Sequence, residues 1–210
     1  MEPAESVLFI FGLFGMVAEA MTAALAAGRR KMDWFGVAVL GCVTALGGGS
    51  LRDVLLGHYP LLWVKHPMLL FLTGGAALLT IALARVVHRF HMLFLVLDAI
   101  GLVVFTIIGC SVAMGMGQPL TIVVVAGMIT GCAGGVLRDI LCTEVPLLFR
   151  SELYASVSLV TGTIYVLATH FGTEHVAVVI GSVAFGLTFR LLAIRYKWEM
   201  PKFIYERDGH

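Results

Sequence analysis

Gly48-Gly49-Ser50-Leu51-Arg52-Asp53-Val54-Leu55 recurs as Gly134-Gly135-Val136-Leu137-Arg138-Asp139-Ile140-Leu141, with six of eight positions identical at an offset of 86. The match extends downstream, where Pro60-Leu61-Leu62-Trp63 pairs with Pro146-Leu147-Leu148-Phe149. After a two-residue insertion, Leu72-Thr73-Gly74 pairs with Val160-Thr161-Gly162. Upstream, Glu19 has an acidic counterpart in Asp98. Apolar composition alone does not reproduce a G-G-x-L-R-D string. The chain therefore reads as one unit written twice, with a further segment at the end.

The surrounding sequence fixes the solvent. The 210 residues are 60% hydrophobic and 13% charged, with a mean hydropathy of +0.98. Soluble domains carry roughly 25% charged residues. A hydrocarbon core about 30 Å thick is crossed by roughly 20 apolar residues in a helix. Seven runs approach that length, near 6–28, 34–56, 67–84, 92–114, 119–142, 153–170 and 175–194. The predicted fold is an all-α membrane protein of seven transmembrane helices in a single domain, 1–210. Repeat one covers about 6–84, repeat two about 92–170 and the seventh helix about 175–194, with a cytoplasmic tail at 195–210. Three spans per repeat is an odd number, so the second copy enters the membrane from the opposite side. Such inverted repeats place ion or substrate sites near the midplane, on interrupted helices.

Basic residues predict the orientation, because cytoplasmic loops are enriched in Lys and Arg. The side holding the N-terminus and the even-numbered loops has Lys65 alone. The other side has Arg29, Arg30, Lys31, Arg85, Arg89, Arg150, Arg190, Arg195, Lys197, Lys202 and Arg207. The N-terminus is thus expected outside and the C-terminus in the cytoplasm. Arg190 is expected to snorkel from the end of the last span, and Tyr196 and Trp198 to anchor at the interface. His88 and His91, beside Arg85 and Arg89, read as a headgroup anchor. The acidic start, Met1-Glu2-Pro3-Ala4-Glu5, lacks the basic region of a signal peptide, so the first run is expected to be a retained span.

Two features inside the spans carry the functional reading. Gly47, Gly48 and Gly49 interrupt span two, and Gly131, Gly134 and Gly135 interrupt span five. Each Gly disfavours helix by about 1 kcal/mol relative to Ala, so either cluster is expected to break its span. The other reading of the same residues is close helix packing through small side chains. Glu19, Arg52, Asp53, Asp98, Arg138 and Asp139 are ionisable residues within the spans. Such residues cost at least about 2.5–3.5 kcal/mol each at a helix centre and mark function by default. They either line a pathway or lock the two halves together, with Arg52 free to pair across the interface rather than with Asp53. Four carboxylates against two guanidiniums favour cations.

Other functions find little support. Cys42, Cys110, Cys132 and Cys142 lie in or beside apolar runs without metal-ligand spacing, so no disulfide framework or metal is expected. There is no G-x-S-x-G, H-E-x-x-H or P-loop string, and a net charge of +1 gives no nucleic-acid surface. No enzyme activity and no cofactor are expected.

The doubled G-G-x-L-R-D-[VI]-L motif on seven spans resembles the bacterial branch of the trimeric intracellular cation (TRIC) channels, also described as a glycine-transporter-domain family. The resemblance covers roughly residues 6–195. It implies a homotrimer in the bacterial inner membrane with one hourglass-shaped pathway per protomer. The pathway would be flanked by helices kinked at Gly47, Gly48, Gly49, Gly131, Gly134 and Gly135. It implies potassium as the chief permeant ion, and membrane lipids and further copies of the chain as partners. Animal members share a Lys-Glu-Val element that binds phosphoinositide. Here the nearest string is Thr143-Glu144-Val145, so that ligand is not carried over. The alternatives are a secondary transporter of a small amino acid such as glycine, and a structural or lipid-binding membrane protein without flux.

Overall fold

The structure, a computed structural model, describes residues 3–84, 90–150, 153–172 and 175–198. The described residues form helices α1 (Pro3–Arg29), α2 (Trp34–Leu56), α3 (Leu62–Lys65), α4 (Met68–Ala84), α5 (Phe90–Gly115), α6 (Leu120–Leu141), α7 (Leu147–Arg150), α8 (Tyr154–His170) and α9 (His175–Tyr196). Helices α1, α2, α5, α6 and α9 are long and apolar enough to cross a membrane. Helix α4 is apolar but has 17 residues, and α8 has the same length. The four-residue helices α3 and α7, which follow Pro60 and Pro146, escape a reading based on long apolar runs. Arg85, Arg89, His88, Lys202, Arg207 and the side chain of Arg150, all assigned to the basic side, lie outside the described residues.

Local chemistry sets the ends of these helices. The Asp33 carboxylate accepts the Gly36 N–H at 2.7 Å, capping α2. Gly57 ends α2 at φ +68, its N–H donating to the Asp53 and Val54 carbonyls. The left-handed residues recur with the repeat offset. Lys31 and Gly117 are one such pair, Gly57 and Thr143 the other.

At the centre, α1, α2, α5 and α6 pack against one another, with α5 and α6 in the most extensive contact. Helix α4 covers α1 and α2, while α8 covers α6 and α5. Helix α9 lies against α8 and α5. The outer surface is apolar: Phe9, Phe14, Trp34, Phe35, Phe71 and Leu79 are all more than half exposed. Large exposed apolar surfaces mark contact with lipid or partners. Tyr196 and Trp198 stack at the exposed end of α9, with ring centroids 5.9 Å apart.

Candidate functional site: two arginine–aspartate centres astride a glycine crossing

Helices α2 and α6 pass through their glycine clusters as uninterrupted α-helix. Of the kink or unwinding expected at these positions, unwinding is corrected, and the contacts follow the packing reading, in which the glycines make room for close approach. A Cβ on Gly48 would strike the Thr130 carbonyl oxygen, and one on Gly134 would strike that of Thr44. These two contacts are reciprocal, since Thr44 and Thr130 are also 86 apart. A Cβ on Gly47 would lie 2.6 Å from Leu137 Cδ1, and one on Gly131 would lie 2.6 Å from the Leu102 carbonyl of α5. Gly135 faces the Tyr154 hydroxyl, with 3.1 Å for an added Cβ, whereas among the described residues Gly49 has only Arg52 Nη2 within 4 Å. Backbone approach through small residues is how helices associate without a hydrophobic driving force between them. Between the two backbone contacts the α6 partner falls from Gly134 to Thr130 as α2 runs from Thr44 to Gly48, so the crossing is antiparallel. Arg52 and Arg138 lie beyond it on opposite sides.

The Arg138 centre is sealed. Arg138 has no solvent exposure. Its Nη1 donates to Asp98 Oδ1 at 2.8 Å and to Thr22 Oγ1 at 2.9 Å. Its Nε donates to Asp139 Oδ1 at 2.8 Å. Glu19 Oε2 lies 3.8 Å from the same Nη1, and the guanidinium sits over the Phe94 ring at 4.5 Å. Asp139 Oδ2 accepts the Leu147 N–H at 2.9 Å, fixing the start of α7. One side chain thus ties α6 to α1 and α5, so Arg138 joins residues of both repeats. A buried ion cluster contributes little net stability, but removing one partner leaves an uncompensated charge. Glu19 Oε1, Asp98 Oδ2, Arg138 Nη2 and the Tyr154 hydroxyl have no hydrogen-bond partner among the described residues.

The Arg52 centre is open. Arg52 donates from Nε and Nη2 to Asp53 Oδ1, at 3.0 and 2.7 Å. Of the two pairings open to Arg52, the structure shows the one with its neighbour. His58 Nδ1 reaches the same Oδ1 at 3.0 Å. Arg52 and Asp53 line a cavity of about 630 Å³, walled by Leu8, Gly12, Leu13 and Ile108 and reaching Lys65. It is bounded by the start of α1, the ends of α2 and α5, and the start of α4.

The offset explains the difference between the centres. Phe94, Asp98 and Ile108 correspond to Leu8, Gly12 and Thr22. Where Arg138 meets an acid, Arg52 lines a cavity whose wall carries a glycine at the matching position. This also corrects the pairing of Glu19 with Asp98 as counterparts. Glu19 corresponds to Phe105, and both acids converge on Arg138. Arg190 is corrected too. It is fully buried, with its guanidinium 4.8 Å from the Tyr154 ring centroid. The signal was spacing, because Val179, Val183, Gly186, Arg190 and Ala193 form one buried stripe along α9. Thr22, Phe94, Tyr154 and His58 were also missed, since no linear pattern links them to the arginines.

The fold and these centres define a polytopic α-helical membrane protein with charge buried between its helices. The chain belongs to the glycine transporter family, whose sequence profile matches twice, at residues 9–85 and 95–170. It is 40% identical over 202 residues to the inner membrane protein YadS of Escherichia coli K12, covering 94% of this chain and 96% of YadS. The TRIC trimeric intracellular cation channel orthologue from Rhodobacter sphaeroides superposes with a TM-score of 0.88 at 31% identity, over 91% of this chain and 99% of that one. A second TRIC cation channel, whose structure addresses conductance, gives a TM-score of 0.86 at 36% identity, over 94% and 98%.

Proposed function

We propose that the chain forms a membrane channel for monovalent cations, chiefly potassium, with a pathway in each protomer of a homotrimer. The observation that carries this is the close likeness, along nearly the whole chain, to solved TRIC cation channels. The path enters through the cavity at Arg52 and Asp53, passes the crossing of α2 and α6, and is shut in this conformation by the Arg138 cluster. The seven long helices act as spans, and the reciprocal glycine contacts and the doubled profile match support two inverted repeats. Among the six charged residues read from the sequence, the carboxylates outnumber the arginines and bias the path toward cations. The basic bias places the N-terminus outside and the C-terminus in the cytoplasm of the bacterial inner membrane.

The family description favours a second reading, secondary transport of glycine. Purified protein in liposomes separates the two. The channel reading expects a potassium-dependent membrane potential without uptake of labelled glycine. Saturable glycine uptake without potassium flux would replace it with the transporter reading, and absence of both would leave neither. Native mass spectrometry from mild detergent checks the assembly, with an expected mass three times 22.6 kDa. A persistent monomer in mild detergent and in native lipid would count against the trimer.

A further inference from the structure

The Arg138 centre contains a template for something the Arg52 centre lacks. Arg138 binds two carboxylates: Asp139 on Nε and Asp98 on Nη1. Arg52 uses Nε and Nη2 on Asp53, and its Nη1 makes no hydrogen bond among the described residues. The position matching Asp98 is Gly12, which lines the cavity beside Arg52. Arg52 is nevertheless 95% buried. A largely buried guanidinium with an unbonded Nη1, in a cavity also lined by the position where the other repeat carries a carboxylate, is a site for a carboxylate from outside the chain.

We infer that the cavity binds a small monocarboxylate with an apolar body. The carboxylate would take the place beside Gly12 that the Asp98 side chain occupies beside Arg138. Leu8, Leu13, Met16, Leu69, Ile108 and Val112 supply apolar walls for the body, and the volume of about 630 Å³ accommodates a chain of several carbons. Lys65 and His66 line the cavity with positive or titratable groups, and Glu5 and Asp53 line it with acids. Asp53 is already engaged by Arg52 and His58. The ligand's charge is therefore read by one arginine and its length by the walls.

The site is tested by calorimetric titration of hexanoate into protein held in zwitterionic lipid nanodiscs, with empty nanodiscs as the blank. One saturable site per protomer is expected. The uncharged hexanamide should bind weaker by roughly tenfold or more, because it cannot form the charge-assisted contact. Gly12→Asp, which supplies the carboxylate internally, should abolish hexanoate binding. Among the described residues the added Cβ meets only the flexible end of Ile108, at 3.2 Å. No saturable binding, equal binding of the amide, or unchanged binding by Gly12→Asp would each overturn the inference. The amide comparison uses the unaltered protein, so it decides the matter even if the Gly12→Asp chain fails to fold. The readout is binding rather than flux, so its outcome is separate from that of the channel reading.

Discussion

Arg52 and Arg138 share a motif and differ in surroundings, which makes them unequal in energy. Removing Arg138 would leave Asp98, Asp139 and Glu19 facing one another in a sealed space. Arg138→Ala is expected to destabilise the protein by about 3–5 kcal/mol, the range for breaking a buried ion pair. Arg52→Ala is expected to cost less, because it strands one carboxylate rather than three and because His58 remains as the partner of Asp53. Thermal unfolding of both variants in the same detergent checks the order, and an equal loss would mean that the two centres are equally buried. At the same scale, replacing both Asp53 and Asp139 with Asn leaves the arginines without their neighbouring carboxylates. Cation conductance should fall, or selectivity should move toward anions. Unchanged permeability in a folded double variant would take these residues off the path.

At the scale of the helices, the α2–α6 crossing rests on two reciprocal glycine contacts. Gly48→Ala and Gly134→Ala each drive a methyl into a backbone carbonyl of the facing helix, and a carbonyl has no rotamer by which to yield. Overpacking of this kind typically costs about 1–3 kcal/mol. Both variants should weaken the fold, and by similar amounts, because their contacts are equivalent. Gly75→Ala on α4 is the control, since no atom of the described residues lies within 4 Å of its added Cβ and helix propensity favours Ala. A loss of stability at Gly75 matching that at Gly48 would show that the damage is not specific to the crossing. The glycine positions were legible because they recur at a fixed offset. Their job was not, because a glycine weakens an isolated helix by the same amount whether the helix breaks or a neighbour fills the gap. Continuous helix is seen here, and the gaps at Gly47, Gly48, Gly131, Gly134 and Gly135 are each met by a backbone or side chain from a facing helix. Helices α3 and α7 were invisible as helices for a different reason: four residues carry no periodicity.

For the molecule as a whole, the long apolar runs and the doubled motif were plain in the sequence, because each is a local pattern. The charge cluster was only half legible. Burial of Glu19, Asp98 and Arg138 follows from charges within apolar runs, but their meeting depends on how α1, α5 and α6 pack. Arg190 was misplaced because a long side chain near a span end can reach the interface, and only the stripe along α9 shows that it points inward. Orientation is checked by single cysteines at Lys65 and Lys197 in a background lacking the four native ones. An impermeant thiol reagent on intact cells should label the first and spare the second, and the opposite pattern would invert the topology.

Whether the proposed path selects cations over anions is decided by the reversal potential of purified protein in a planar bilayer under a KCl gradient. A reversal close to the potassium equilibrium potential is expected. A reversal at the chloride potential, or no current at any voltage, would overturn the channel proposal.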